Sequence, residues 1–144
     1  MFHKSPDERL IEWSSFRRSM SHFADPLMAL VQFWSQAPLI IHNNKIDPYN
    51  PKSWPTPWEI IYENKYDDFT LAIMMGYTLK LSKKFNNDKI EVKTMVDNVR
   101  KQLYNLVYIN DIDVLNYERH TPVKAQDIKD CLYLENTVNI IFPR

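Results

Sequence analysis

Apolar positions recur at helical spacing in the first half of this chain and at alternating spacing in the second. Leu10, Trp13, Arg17 or Phe16, and Met20, with Ile11 beside them, predict a helix from Asp7 to about Met20. Asp25-Pro26 reads as an N-cap followed by proline at the first helical position. Leu27, Leu30, Val31 and Trp34 continue that helix until Pro38 stops it. Leu39-Ile40-Ile41 then extends briefly into the core. A third start signal is Thr56-Pro57-Trp58-Glu59, with Thr56 as cap and Glu59 placed to reach back to it. That helix is short, ending at Asn64-Lys65, and Trp54 and Trp58 flank its cap as a clamp on the entering chain.

The next helix organises the rest. Asp67 or Asp68 caps it, and Phe69, Leu71, Ala72, Ile73, Met74, Met75, Tyr77, Leu79 and Leu81 leave almost no polar face. A helix apolar on every side is normally buried. Gly76, the single glycine of the chain, lies inside it at a cost of about 1 kcal/mol against alanine, which points to close approach by a neighbour. Beyond the turn at Phe85-Asn86-Asn87-Asp88, alternation predicts strands at Lys89–Val96, Leu103–Ile109 and Ile112–Tyr117, the last two joined by Asn110-Asp111. A helical turn near Gln126 and late strands at Cys131–Leu134 and Thr137–Phe142 complete the expectation. Helices first and antiparallel strands after make the class α+β: N-terminal helices and a buried central helix on a small antiparallel sheet.

Composition narrows the chemistry. The 144 residues fit one domain, 1–144, with 1–6 expected to be a loose N-terminal arm and 42–57 a long ordered loop rich in Asn, Asp and Pro. Such a loop is usually functional or docked. Eighteen basic and eighteen acidic side chains balance, so no nucleic-acid footprint is present. No apolar run reaches the roughly 18 residues of a membrane span. With one glycine, neither a phosphate-cradling loop nor a dinucleotide fingerprint can be written. With one cysteine, Cys131, neither an internal disulfide nor a Cys-rich zinc site can be formed. Its strand-like setting predicts a buried structural thiol rather than a reactive one.

His3, His22, His42 and His120 show no metal-ligand spacing and are expected at the surface, so no metal site and no cofactor are expected. Asp67 and Asp68 are neighbours that diverge on a helix, which favours capping over paired acid–base work. Asp111 and Asp113 sit where hairpin turns ordinarily carry aspartate. Arg17 and Arg18 are candidates to grip an acidic partner, although such a pair is more often a solvated face. Tyr49 and Trp54 are candidate interface anchors, since aromatics and arginine dominate interface energetics.

The order of these elements resembles the core of the transglutaminase-like, papain-related fold. Tyr66-Asp67-Asp68-Phe69 opens the buried helix, Leu103–Ile109 follows as a strand, and Val114-Leu115-Asn116 returns after a tight turn. In that family a cysteine caps the central helix, a histidine begins the next key strand, and an aspartate ends its hairpin partner. The resemblance implies that the cysteine position falls at Tyr66, the histidine position at Leu103 or Tyr104, and the aspartate position at Asn116. All three reactive residues would then be replaced, leaving no catalytic residue.

A second resemblance is to small proteins of marine tailed phages. It rests on Phe16-Arg17-Arg18-Ser19, on Asp47-Pro48 followed by Ser53-Trp54-Pro55-Thr56-Pro57-Trp58-Glu59, and on Tyr77-Thr78-Leu79-Lys80-Leu81. It implies a non-catalytic structural or assembly role in the virion, in the head–tail or tail region. The partners would be other virion proteins or further copies of this chain, with the host cytoplasm as the location before assembly. The alternatives are a papain- or transglutaminase-like hydrolase or acyltransferase with an atypical nucleophile, and a nucleic-acid-binding module.

Overall fold

A computed structural model describes residues 1–143. Four helices precede the sheet: α1 (Pro6–Ser19), α2 (Pro26–Trp34), α3 (Pro57–Glu63) and α4 (Asp68–Lys80). Five strands follow: β1 (Ile90–Asp97), β2 (Gln102–Ile109), β3 (Asp113–Leu115), β4 (Val123–Lys124) and β5 (Tyr133–Asn139). They form one antiparallel sheet in the order β4-β3-β2-β1-β5. The expected α+β class is the one found.

The helix starts are set by local chemistry. Thr56 Oγ1 accepts from Glu59 N–H at 3.2 Å while Glu59 Oε1 accepts from Thr56 N–H at 3.1 Å, a complete capping box with Pro57 at the first helical position. Asn64 ends α3 in the left-handed region at φ 59°. Asp25 caps α2 ahead of Pro26. For α1 the cap is Ser5, two residues earlier than Asp7, because Pro6 takes the first helical position.

α4 runs between the sheet and the other helices, and eleven of its thirteen residues are buried. Each fully buried Leu, Ile or Met contributes about 1.5–3 kcal/mol. Ile73, Met74, Met75 and Leu79 are all enclosed, so this one helix carries much of the core. A Cβ on Gly76 would stand 2.9 Å from Ile140 Cγ1 and 3.5 Å from Ile90 Cγ2. The glycine thus lets the sheet approach the helix, as its placement predicts.

One hydroxyl ties three helices together. Thr78 Oγ1 accepts from Trp13 Nε1 at 3.0 Å and from Trp34 Nε1 at 3.1 Å, and donates to Met74 C=O at 2.6 Å. Arg9, also buried, donates to Ile61 C=O at 3.1 Å and Tyr62 C=O at 2.7 Å, satisfying carbonyls of α3 that the helix itself leaves open.

Several expectations need correction. The first residues are docked rather than loose: Phe2 packs on Phe33, Trp34 and Tyr66, and its carbonyl accepts from Asn64 Nδ2 at 2.9 Å. An aromatic side chain at position 2 supplies enough apolar area to anchor a short terminus. The two late strands are one, β5, with a bulge where its register against β1 shifts between Thr94 and Met95. Cys131 is exposed, because it sits in the turn ahead of β5 and not within the strand. The 42–57 segment is ordered by its own Asx turns, with Tyr49 N–H on Asp47 Oδ1 at 2.9 Å. It docks through Ile46 and through Asn136 Nδ2 on Pro48 C=O at 3.1 Å.

Candidate functional site

The N-terminus of α4 is where helix, sheet and long loop converge. Asp67 is its cap: one carboxylate oxygen accepts from Thr70 N–H at 2.8 Å and Thr70 Oγ1 at 2.5 Å, the other from Asn43 N–H at 2.9 Å. Asp67 is buried, and these donors with the positive helix end make its charge tolerable there. His42 Nδ1 stands 3.8 Å from Asp67 Oδ2, beyond hydrogen-bond range.

Asp68, one residue on, turns the other way. Its carboxylate accepts from Asn105 Nδ2 of β2 at 2.8 Å and from Asn116 Nδ2, just past β3, at 3.2 Å. Asn116 Nδ2 also donates to Asn105 C=O at 2.9 Å, and Asn105 Oδ1 accepts from Thr94 of β1 at 2.9 Å. Asn116 adopts φ 68°, a conformation that asparagine tolerates better than most residues. Thr94, Asn105, Asp68 and Asn116 thus form one hydrogen-bonded chain from the sheet to the helix.

The positions drawn from the transglutaminase resemblance are distributed unequally around this cluster. Asn116 is a member. Tyr66 is not: its ring is enclosed against Phe2 and Trp34, and burial pushes its phenol well above the usual range. Leu103 is exposed on the rim, two residues before Asn105 and on the same face of β2. Tyr104 points to the opposite face, where it stacks on Tyr117 and its hydroxyl meets Gln102 and Lys129. Of the members missed from sequence, Asp68 lies two residues beyond the expected Tyr66, and Asn105 one beyond Tyr104 and two beyond Leu103. The turn at Asn110 and Asp111, both at positive φ, carried the signal: it fixes the hairpin register that brings residues 105 and 116 to one end.

The interface candidates also separate. Arg17 lies over the Trp13 ring at 4.3 Å, with burial lowering its pKa. Arg18 is exposed and donates to Ser14. Trp54 packs edge-on against Phe69 and donates to Asp47 C=O, so it serves the domain's own core. Tyr49 remains 67 % exposed.

Two concavities flank the α4 mouth. One, of about 240 Å³, is lined by Ser35, Leu39, Asp68, Asn116 and Arg119 among others. The other, of about 270 Å³, holds Ile41, His42, Asp67, Asp68, Asn105 and Glu135. An imidazole and carboxylates therefore meet at this mouth, but Cys131 lines neither concavity. The nearby hydroxyls of Thr70 and Thr94 are buried and already donate to Asp67 and Asn105. Carboxamides neither gain nor lose protons near neutral pH, so Asn105 and Asn116 can orient and donate but cannot act as bases. Among the described residues, no group of three or more His, Cys, Asp or Glu is placed to hold a metal ion, and no helix is long and apolar enough to cross a membrane.

A buried helix whose N-terminus meets β2 and β3 of an antiparallel sheet makes this an α+β protein, and its likeness to solved structures gives the fold as transglutaminase-like. The solved structures it is similar to include LapG of Legionella pneumophila in a calcium-bound form, at TM-score 0.68 and 16% identity over 94% of this chain and 77% of that one. A further structure of the same LapG matches at TM-score 0.67 and 15% identity, over 93% and 76%. No protein-family model and no curated protein matches the sequence.

Proposed function

We propose that this chain is a non-catalytic virion structural or assembly protein of a tailed phage, working through protein–protein contacts. One observation carries the non-catalytic half. At the helix mouth, Asp68 is held by two carboxamides, with no thiol among the residues lining the two flanking concavities. Such a cluster binds and orients; it supplies neither a thiol nor a base-activated hydroxyl as nucleophile. The virion half is supported by the resemblance of its Trp-Pro-Thr-Pro-Trp and Phe-Arg-Arg-Ser segments to small phage proteins. Tyr49 and the Leu39-Ile40-Ile41 run, which is exposed and does not enter the core as expected from sequence, supply apolar contact area beside the mouth. Purified protein should show no peptidase, amidase or transglutaminase turnover, and mass spectrometry of assembled particles should find it at a fixed stoichiometry. Absence from particles together with measurable turnover would overturn this proposal.

A second reading is a hydrolase or acyltransferase with an atypical nucleophile. It rests on the likeness in fold to LapG of Legionella pneumophila. Its candidate nucleophile is Cys131, a free exposed thiol. Activity abolished by Cys131→Ser would decide for it.

A further inference from the structure

The two borders of the sheet are unlike. β4 is two residues long, preceded by Pro122 and ending in Lys124, which is how natural sheets blunt an edge. β5 is seven residues long, contains no proline, lysine or arginine, and carries one charge, Glu135. Ile140 N–H donates to Ile90 C=O at 2.8 Å, continuing the β1–β5 register Glu91↔Asn139 and Lys93↔Thr137. By strand alternation, the N–H and C=O groups of Thr137 and Asn139 therefore point away from β1. Among the described residues these groups have no hydrogen-bond partner, and both side chains are exposed. The long loop reaches this region through Asn136 Nδ2 on Pro48 C=O and lines a concavity with Asn139, Ile141 and Phe142, but among the described residues it makes no main-chain hydrogen bond to Thr137 or Asn139.

We propose that two copies of this chain pair antiparallel through the outer edge of β5, about a twofold axis at Val138. This inference is independent of whether the protein is catalytic. The axis at Val138 sets Thr137 against Asn139 of the second copy, so that four outward main-chain bonds close at once. The charge pattern is compatible with this register. Lys93 lies beside Thr137 and Glu91 beside Asn139, so each cross-strand row runs from Lys93 of one copy to Glu91 of the other. An axis at Thr137 would instead put Lys93 at both ends of one row. Balanced formal charge on the whole chain adds no net repulsion.

The apolar residues fit the same arrangement. Tyr133 and Leu134 start β5, Ile141 and Phe142 follow it, and all four are more than half exposed. Antiparallel pairing lays the start of one strand along the end of the other, bringing Leu134 beside Ile141 of the second copy. The dimer covers at both ends what the single chain leaves in water, and the two sheets become one of ten strands.

Sedimentation equilibrium on the full chain, from micromolar to sub-millimolar concentration, tests this. The expected result is a dimer that Thr137→Pro converts to monomer with an unchanged far-UV circular dichroism spectrum. Proline is tolerated there because the Thr137 N–H faces outward and takes no part in the β1 ladder. Leu134→Glu and Ile141→Lys should each weaken association at least tenfold and the double variant should restore it, a readout that holds even where the proline variant fails to fold. A wild-type chain of single mass at every concentration overturns the proposal, as does a dimer untouched by Thr137→Pro or by both charge variants. Enzymatic turnover would overturn the virion reading and leave this one standing.

Discussion

The first and last turns of α4 are both hydrogen-bond crossroads, and they differ in what surrounds them. At the last turn, Thr78 serves two indoles and a carbonyl with no exposed surface. At the first, Asp67 is sealed beneath the loop while Asp68 faces water and reaches across to two strands. Buried polar groups are costly to orphan, whereas exposed ones find water again. The closed end of the helix should therefore carry stability, and the open end should be free to change its chemistry without unfolding the molecule.

Substitutions along α4 sharpen this contrast. Thr78→Val keeps the shape and strands two buried indole N–H groups, so urea unfolding should show a loss of about 2–4 kcal/mol, with Thr78→Ser much milder. Asp67→Ala removes the cap and the acceptor of Asn43 N–H, and the loss should be about 1–2 kcal/mol in the same measurement. Gly76→Ala sets a helix-propensity gain of about 1 kcal/mol against overpacking of about 1–3 kcal/mol at Ile140. A net decrease in melting temperature is expected. Asp68→Ala should cost the least, about 0.5–1 kcal/mol, since its carboxylate and Asn116 meet solvent. A larger loss for Asp68→Ala than for Thr78→Val would break the comparison.

The parts of the fold written in local chemistry could be read from the chain alone. Thr56-Pro57-Trp58-Glu59 states a capping box, Asn110-Asp111 states a hairpin turn, and the unbroken apolar face around Ile73 states a buried helix. The parts that depend on distant partners could not. Nothing near Phe2 announces that Trp34 and Tyr66 will receive it, and nothing near Arg9 announces the carbonyls of α3. The candidate site stands between these cases. Asn116 was reached only through the family resemblance laid on the hairpin, whereas Asn105 lies one or two residues past the expected Tyr104 or Leu103 and Asp68 two past Tyr66, offsets that only the strand register and helix start reveal. Cys131 misled because its flanking apolar residues suggest a strand that in fact begins at Tyr133.

The shared oxygen at Thr78 also gives the molecule an optical reporter. Trp13 and Trp34 are both fully enclosed and bonded to one hydroxyl, so their emission responds together when α1 and α2 part from α4. Trp58, on the surface side of Trp13, already sees solvent and supplies an internal reference within the same spectrum.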